Sequence, residues 1–425
     1  MSLDRRAFTR LLALAPGALL AERPEPDGVP GIRALRRTPA APDERYWEEV
    51  RAQFILPSDL AFMNAANLCP APLRVLDLLQ DRTRRLDRDP SPATKSSLQD
   101  EREITRQRVA ALLRVTPEEI VLTRNTSEAN NLVSSGVPLG PGDEVVIFSD
   151  NHPSNNLAWK EKAARFGFTV NVVEQVNPHP GADYYVQAFG RAITPRTKVV
   201  AFTHVSNTVG DLLPAREICA LARARGALSL VDGAQSFGVL DVDLSALRPD
   251  FYSGSAHKWS CGPKETGLLF VSRDVQDRIK PSVYSLYGGR VGASRTMEAM
   301  GQRDEPAMIA FGEAVAFSTG IGLPAIEARS RELAGALREG LARIPGVEVW
   351  THADASRTGA VVSFRPGTLD ASKLITALYQ TDRIVGQLRG GADRPGIRFS
   401  PHLYNLHAEV ERTVATVKRY MASGI

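Results

Sequence analysis

Short apolar runs that alternate with helical patterns between residues 117 and 272 constrain the fold of this chain most strongly. The runs occupy residues 118–123, 144–150, 168–174, 198–207, 227–232, 250–255 and 266–272. Apolar residues at helical spacing separate several of them, at 155–166, at 214–225 and near Leu244. Strands that are apolar throughout and are joined by helices are typical of a mostly parallel sheet with both faces covered. The sequence therefore predicts an α/β fold.

The pattern changes after about residue 290. Long amphipathic helices are predicted at 306–319 and 324–344, followed by mixed strands at 346–350, 360–366, 383–389 and 396–401 and helices at 370–380 and 407–422. We expect a large domain with a mostly parallel sheet at 46–290 and a smaller α+β domain at 291–425. Before the sheet, helices are expected at 46–54, 70–87 and 99–115, with a polar loop at 91–97; the first helix is expected to pack on the small domain.

The N-terminal segment has the layout of an export signal. Arg5 and Arg6 precede an apolar run at 11–21, which is the twin-arginine arrangement and is too short to anchor in a bilayer. Residues 22–45 are rich in Pro, Arg and Ala and indicate a linker. We expect 1–21 to direct export to the periplasm; the alternative is a disordered basic tail on a cytoplasmic protein.

Composition excludes few function classes, but it limits the kinds of partner that the protein is expected to bind. The chain has 425 residues and a formal net charge of +4, without a basic block interleaved with aromatic residues, so no nucleic-acid partner is expected. No membrane partner is expected beyond export. The three cysteines Cys69, Cys219 and Cys261 have no metal-like spacing and are too few for a disulfide framework. No metal site is predicted.

Lys258 and Asp232 carry the main chemical signal. Lys258 lies in the run DFYSGSAHKWSCGP at 250–263, where small residues allow close approach to a ligand. Asp232 ends the apolar run LSLVD, and a carboxylate there requires a partner because burying an unpaired charge is costly. A lysine that can form an imine and an acid that can hold a protonated ring nitrogen are the pair that pyridoxal phosphate (PLP) requires.

Other polar residues also follow predicted strand ends, where ligands bind in open parallel sheets. Thr126 and Ser127 open a helix, which indicates either a phosphate site or an ordinary helix cap. His152 could stack on a flat cofactor or be solvated, and Asn207 could bond a phenolic oxygen or form a turn. Asn67 ends a short extended segment that could line a pocket mouth.

Several segments together resemble one known family. TSEANNLV, NHPSNN, HVSNTVGDLLP, VDGAQSFGVLDVD, SGSAHKWSCGP and RFSPHLYN are similar to the class V aminotransferases, which are fold-type I PLP enzymes. That family includes cysteine desulfurases, selenocysteine lyases and isopenicillin N epimerases. The resemblance covers the chain from about residue 46 to its end and implies the fold-type I architecture.

The resemblance also implies roles for individual residues. Lys258 would hold PLP as an aldimine and act as acid and base, Asp232 would pair with the ring nitrogen, and His152 would stack on the ring. Arg398 would bind the α-carboxylate of an amino-acid substrate, and Asn67 is placed with it at the substrate. A homodimer with shared active sites is implied. The remaining implied cofactor contacts are Thr126, Ser127, Ser255 and His257 at the phosphate, Asn207 and Gln235 near the phenolic oxygen, and Gly301 and Gln302 reaching the PLP of the partner subunit.

The sequence departs from the desulfurase pattern in one loop. Desulfurases carry a nucleophilic cysteine shortly before the carboxylate-binding arginine, whereas VGQLRGGADR at 385–394 has none. The segments GQRDE and HKW are closer to the isopenicillin N epimerase branch. We therefore expect epimerisation or transamination at Cα through a quinonoid. The alternatives are a β-eliminating carbon–sulfur lyase or desulfurase-like enzyme, and a non-catalytic binding protein. A Rossmann dehydrogenase is disfavoured because LTRNTSEAN lacks the glycine-rich turn.

Overall fold

The fold contains three β-sheets, seen in a computed structural model that describes residues 35–390 and 393–425. Strands and helices are numbered in chain order. The strands are β1 (Ala61–Phe62), β2 (Ile120–Thr123), β3 (Glu144–Phe148), β4 (Thr169–Val173), β5 (Thr197–Thr203), β6 (Leu228–Asp232), β7 (Phe251–Ser255), β8 (Gly267–Val271), β9 (Glu348–Val349), β10 (Val362–Arg365), β11 (Ile384–Val385), β12 (Gln387–Arg389) and β13 (Gly396–Phe399).

Helices surround these sheets within one compact unit, Leu35–Ile425. They are α1 (Glu44–Arg51), α2 (Leu73–Arg88), α3 (Pro92–Leu112), α4 (Thr126–Gly136), α5 (Pro153–Phe166), α6 (Ala182–Ala192), α7 (Ala215–Ala224), α8 (Leu244–Leu247), α9 (Ser294–Met297), α10 (Glu305–Ile321), α11 (Leu323–Ala342), α12 (Ala371–Gln380) and α13 (His407–Ser423).

The largest sheet has seven strands in the order β2-β8-β7-β6-β5-β3-β4. Of these strands, β8 alone runs antiparallel to its neighbours. Helices α5, α6 and α7 join consecutive parallel strands from β3 to β6, as parallel connections require. The α/β prediction with a mostly parallel sheet is confirmed.

Both faces of this sheet are buried, which explains the unbroken apolar runs in the sequence. Along β3, Val145 and Ile147 pack into one hydrophobic cluster while Val146 and Phe148 pack into the cluster on the opposite face. Side chains alternate between faces along a strand, so a strand covered on both sides needs apolar residues at every position. The carboxyl ends of the parallel strands are thereby left as the edge where polar residues gather.

A smaller antiparallel sheet, β12-β13-β10-β9, is built from the C-terminal part of the chain. The N-terminal part joins it through two features. Strand β1 pairs in parallel with β11, and helix α1 makes two ion pairs, Arg51–Glu409 at 3.0 Å and Glu44–Arg329 at 2.8 Å. The predicted boundary at residue 290 stays a prediction.

Two local predictions were wrong. The predicted loop at 91–97 is the first part of α3, because Ser91 caps that helix and Pro92 occupies its first position, where a proline costs no hydrogen bond. Helix α6 was not predicted; it buries Tyr185 and Phe189. The signal prediction at 1–21 and the linker up to residue 34 lie outside the described residues.

Within the described ranges, no single helix is long and apolar enough to cross a membrane. Helices α10 and α11 meet the criteria of length and composition only as a pair bent by 80°.

A buried ion pair between Arg106 and Glu298 generates a stability prediction. Both side chains are almost fully buried, and Glu298 also accepts the backbone N–H of Leu122. Although burial opposes it, the charge of Arg106 holds the pKa of Glu298 below its ordinary value. We expect Glu298→Ala to lower the free energy of unfolding by about 3–5 kcal/mol, because it removes the more deeply buried of the two carboxylates that pair with Arg106, the other being Glu103, and takes away the acceptor of the Leu122 N–H.

The control is Glu339→Ala, which removes an exposed partner of Arg343 and is expected to change stability by less than about 0.5 kcal/mol. Denaturant unfolding of both variants provides the comparison. Equal effects of the two substitutions would show that the buried pair has no special weight.

Candidate active site

Lys258 follows the end of β7 in a tightly held loop. The loop closes through hydrogen bonds from Gly262 N to Ala256 O and from Cys261 N to Lys258 O. A Cβ at position 262 would lie 2.8 Å from the Cβ of Ala256, so glycine is required for this close approach. Trp259 is fully buried and anchors the loop in the protein core. The sequence run of small residues therefore serves to fix the lysine backbone.

Burial lowers the pKa of Lys258 to about 8; the carboxylate of Asp232 opposes this shift and the charge of Arg398 adds to it. Its Nζ donates no hydrogen bond to any described residue. A lysine with this pKa has a substantial neutral fraction near pH 7–8, and the neutral amine is the form that acts as nucleophile or base.

Asp232 is the last residue of β6 and its side chain is buried. Its Oδ1 accepts from the N–H of Ala234 at 3.0 Å, and its Oδ2 accepts from the side-chain amides of Asn130 at 2.8 Å and Asn155 at 3.3 Å. Ser253 donates to the Oδ1 of Asn130 and so orients that amide. These bonds satisfy both carboxyl oxygens and fix the orientation of the side chain that would face a protonated ring nitrogen.

The sequence did not single out Asn130 and Asn155. Each lies in a helix that starts near a strand end, α4 and α5 respectively, where polar residues are common for other reasons. The Oδ1 of Asn155 is buried without a hydrogen-bond partner among the described residues. A lone helical asparagine gives no signal that it points inward to a carboxylate.

One cavity of about 240 Å³ brings together six of the predicted residues. They are Asn67, His152, Asn207, Gln235, Lys258 and Arg398. His152 lies at its mouth, where partial desolvation of the ring and the charge of Lys258 lower the pKa of the imidazole. His152 is therefore neutral at pH 7, as an aromatic stacking group would be.

Of the predicted phosphate residues, Thr126 and Ser255 meet at the start of α4. The backbone N–H of Thr126 donates to Ser255 Oγ at 2.9 Å, and the two hydroxyls lie 2.8 Å apart. Burial, Lys258 and Lys264 lower the pKa of His257 to about 4, and its Nδ1 is buried without a partner among the described residues. Helix amides, hydroxyls and a neutral imidazole suit an anionic phosphate. Ser127 Oγ lies 3.2 Å from Ser154 Oγ at the open side of this cradle.

Arg398 in β13 is held by neutral acceptors and has no acidic partner in the part of the chain that the structure describes. Its guanidinium donates to Asn207 O at 2.8 Å and to Asn64 Oδ1 at 3.2 Å, and its buried Nε has no partner. Burial lowers the pKa of Arg398 to about 10, and the charge of Arg389 adds to that shift. A preorganised guanidinium without a counter-ion suits a substrate carboxylate.

Gln235 and Asn207 both line the cavity, but their side-chain amides differ in their hydrogen bonds. Gln235 donates to Ala66 O at 3.0 Å and accepts from Trp259 Nε1 at 2.7 Å, so its amide is already positioned by the chain. The Oδ1 of Asn207 is buried without a partner among the described residues. Their predicted contacts near the phenolic oxygen stay predictions.

Gly301 and Gln302 do not line this cavity. Gln302 accepts a hydrogen bond from Lys95 at the surface, and Gly301 adopts a left-handed φ of +79°. Their predicted reach to the partner subunit stays a prediction.

Cys261 of the lysine loop forms a buried group with Cys69 and His402. One donor atom from each residue lies within 4.8 Å of the others, and all three side chains are buried. Both ring nitrogens of His402 are engaged, by Ser330 Oγ at 3.0 Å and by the carbonyl of Trp259 at 2.7 Å, and burial raises the pKa of the Cys261 thiol. These features favour a packed cluster of neutral groups over a ligand set, and the absence of a metal stays a prediction.

Comparison with known proteins identifies the family. A sequence model of aminotransferase class-V matches residues 69–412. The chain belongs to the class V aminotransferase family. The predicted family, its PLP-dependent enzyme class and its cofactor are thereby confirmed.

The relatives differ in their named activities. The chain is 33% identical to an isopenicillin N epimerase of Amycolatopsis lactamdurans over 88% of this chain and 98% of the relative. It is 30% identical to an isopenicillin N epimerase of Streptomyces clavuligerus, over 86% and 96%. A probable cysteine desulfurase of Methanothermobacter thermautotrophicus is 28% identical over 89% and 98%.

Solved structures share the fold. A mutant of the cystine C–S lyase C-DES, with glycine covalently linked to its PLP, superposes with a TM-score of 0.80 at 24% identity over 89% of this chain and 99% of that chain. The apo cysteine desulfurase of Thermococcus onnurineus NA1 gives a TM-score of 0.80 at 24% identity, over 88% and 98%. At this identity the likeness establishes the fold, and it confirms the predicted fold-type I architecture.

Asn130 provides a test of the carboxylate network. We expect Asn130→Ala to weaken PLP binding about tenfold, since it removes one of three donors that hold Asp232 and such supporting bonds typically contribute that much to a site. Fluorescence titration of apoprotein with PLP measures the dissociation constant.

The matched control is Asn131→Ala, the adjacent residue, whose exposed amide bonds only Ser127 O within its own helix and Lys162. Equal PLP affinities of the Asn130→Ala variant and the wild type would show that this hydrogen-bond network does not contribute to PLP binding.

Proposed function

We propose that this protein acts at the Cα of an amino-acid substrate and catalyses its epimerisation or transamination. The observation that carries the proposal is that Lys258 lies close to Asp232 and Arg398, in the cavity lined by Arg398 and His152. A base, a carboxylate for a ring nitrogen and a binding group for the substrate carboxylate are the minimum set for this chemistry.

The position of each residue in the cavity indicates its role in the reaction. When bound, PLP supplies a carbonyl that forms imines with amines and a ring that withdraws electrons from the substrate Cα. Arg398 would hold the α-carboxylate in a fixed orientation by two parallel hydrogen bonds. Lys258 would accept the proton from Cα and return it, and its lowered pKa suits a base near neutral pH. Asp232 would keep a proton at the ring nitrogen.

The choice among reactions rests on the relatives and on the cysteines. Two relatives that match more than 85% of this chain, at 33% and 30% identity, are named isopenicillin N epimerases, which favours proton return to Cα; a relative named a probable cysteine desulfurase is 31% identical over 73% of the chain. In the described parts of the chain near Lys258, the cysteines are Cys69 and Cys261, both buried, and burial raises the pKa of the Cys261 thiol. A neutral thiol is a poor nucleophile, so persulfide formation at Cys261 is disfavoured. β-Elimination is the second candidate, because it begins with the same proton removal.

The test is incubation with a panel of amino acids in deuterated water, read by mass spectrometry for Cα exchange, keto acid or a lost β-substituent. We expect exchange with the wild type and a loss on the order of 10³-fold in Lys258→Ala, since a general base contributes about this much. Asp232→Asn should reduce exchange by a similar order while still allowing PLP to bind, which a visible absorption band reports.

The control is Lys418→Ala, an exposed lysine in α13 that does not line the cavity. Exchange that persists at the wild-type rate in Lys258→Ala would refute the proposed base. A lost β-substituent without Cα racemisation would instead select elimination.

We also propose that the protein is a homodimer. The segment 283–287 exposes four large apolar side chains, Val283, Tyr284, Leu286 and Tyr287, with Leu286 98% exposed. Such a patch is unusual on a monomer surface. Val283 lines a cavity with Ser127 at the start of α4, so a second copy covering this segment would also close the open side of the phosphate cradle.

Light scattering on a sizing column tests the dimer. We expect twice the monomer mass for the wild type and a shift toward monomer for Leu286→Asp, because the charge would be buried in the interface. Tyr379→Asp, at an exposed tyrosine of α12, should leave the mass unchanged. A wild type that is monomeric at micromolar concentration would end this proposal.

Export through the arginine pair is proposed on the sequence of residues 1–21 alone. Cell fractionation tests it: a shortened product in the periplasm is expected, and a full-length product found only in the cytoplasm would refute it.

A further inference from the structure

A second arginine lines the same cavity as Arg398 and was not among the predicted site residues. Arg389 ends β12, whose antiparallel partner is β13, and the register places Gln387 directly opposite Arg398. Residues two apart on a strand project from the same face, so Arg389 and Gln387 share the face that Arg398 occupies. The hairpin geometry therefore aims two guanidinium groups at one cavity.

Arg389 is not paired with any acidic residue in the part of the chain that the structure describes. Within the described residues its guanidinium makes neither an ion pair within 4.0 Å nor a hydrogen bond, and its Nε is buried without a partner. The nearest acids are already engaged: Asp150 and Asp393 both pair with Arg394, at 3.4 Å and 2.6 Å. An arginine whose only role was to make the protein surface polar would expose its Nε to water.

The cavity consequently carries more positive than negative charge. Lys258, Arg389 and Arg398 line it, whereas Asp232 acts on Lys258, and the charges of Asp150 and Asp393 that reach Arg389 are shared with their ion-pair partner Arg394. Arg389 is close enough to Arg398 to help lower its pKa, which means that the two guanidinium groups repel each other. Like charges held together in a partly desolvated space are unfavourable until anions enter.

We propose that Arg389 binds a second carboxylate at the far end of the substrate side chain, so that the substrate is a diacidic α-amino acid. This rests on the proposed function, because it assigns the α-carboxylate to Arg398 and leaves Arg389 for the distal group. Each guanidinium can bind one carboxylate through two parallel hydrogen bonds.

The experiment uses PLP-loaded protein and carboxylates that lack an amino group and so cannot react. Glutarate and pentanoate have equal chain lengths and differ in the second carboxylate. Titration calorimetry is expected to show glutarate binding about tenfold tighter than pentanoate to the wild type, as one additional charge-assisted contact provides. Arg389→Gln should abolish this preference, and Arg389→Lys should retain part of it because it keeps the charge.

The matched control is Arg383→Gln, an exposed arginine before β11 that does not line the cavity; its variant should keep the wild-type preference. Unfolding curves check that every variant is folded. Equal affinity of the wild type for the two acids, or a preference that survives Arg389→Gln, would overturn the proposal.

Kinetics separate this proposal from the proposed function. For diacidic amino acids, Arg389→Gln should raise KM about tenfold with kcat little changed, whereas for alanine it should change neither. Cα exchange in the wild type that disappears in Lys258→Ala supports the proposed function whether or not a second carboxylate is preferred. A glutarate preference that depends on Arg389, found without any Cα exchange, would keep the anion site and refute the proposed chemistry.

Discussion

A buried carboxylate at the end of the central sheet is the constraint on which the site depends. Asp232 is 2% exposed, and burying a carboxylate costs several kcal/mol unless hydrogen bonds replace its water. The replacements come from Asn130 in α4 and Asn155 in α5. The same bonds therefore fix two helices relative to the sheet, and with them the phosphate cradle at the start of α4 and His152 at the start of α5. One electrostatic requirement therefore positions the carboxylate, the phosphate cradle and His152 relative to one another.

The sequence was sufficient for the sheet and for the residues at its edge. Apolar runs at every position require a strand covered on both faces, and parallel strands carry their polar carboxyl ends to one edge. Asp232, Asn207 and Lys258 each follow such a run, so their convergence follows from topology alone. Helix α6 was missed because its aromatic residues also suit a strand, and Ser91 with Pro92 was read as a loop although the pair is a good helix start.

The rest of the site could not be predicted from the sequence. It depends on the direction in which helical side chains point and on the register of short strands. Asn130 has the same residue type as Asn131, yet one reaches Asp232 and the other lies on the surface. The loop 385–394 was notable in the sequence only for lacking a cysteine. The register of β12 against β13, which places Arg389 beside Arg398, is fixed by pairing between strands and leaves no local signal.

The charge imbalance of the cavity links substrate binding to the chemistry at Lys258. Burial and the charge of Arg398 hold the pKa of this lysine low, and Asp232 compensates only in part. Each carboxylate that enters adds a negative charge near the amine and offsets an arginine, which raises its pKa. A stronger base is then present only while the acidic substrate is bound. Arg398 would therefore do more than hold the substrate, because neutralising its charge makes proton removal from Cα more favourable at the moment when the Cα is in place.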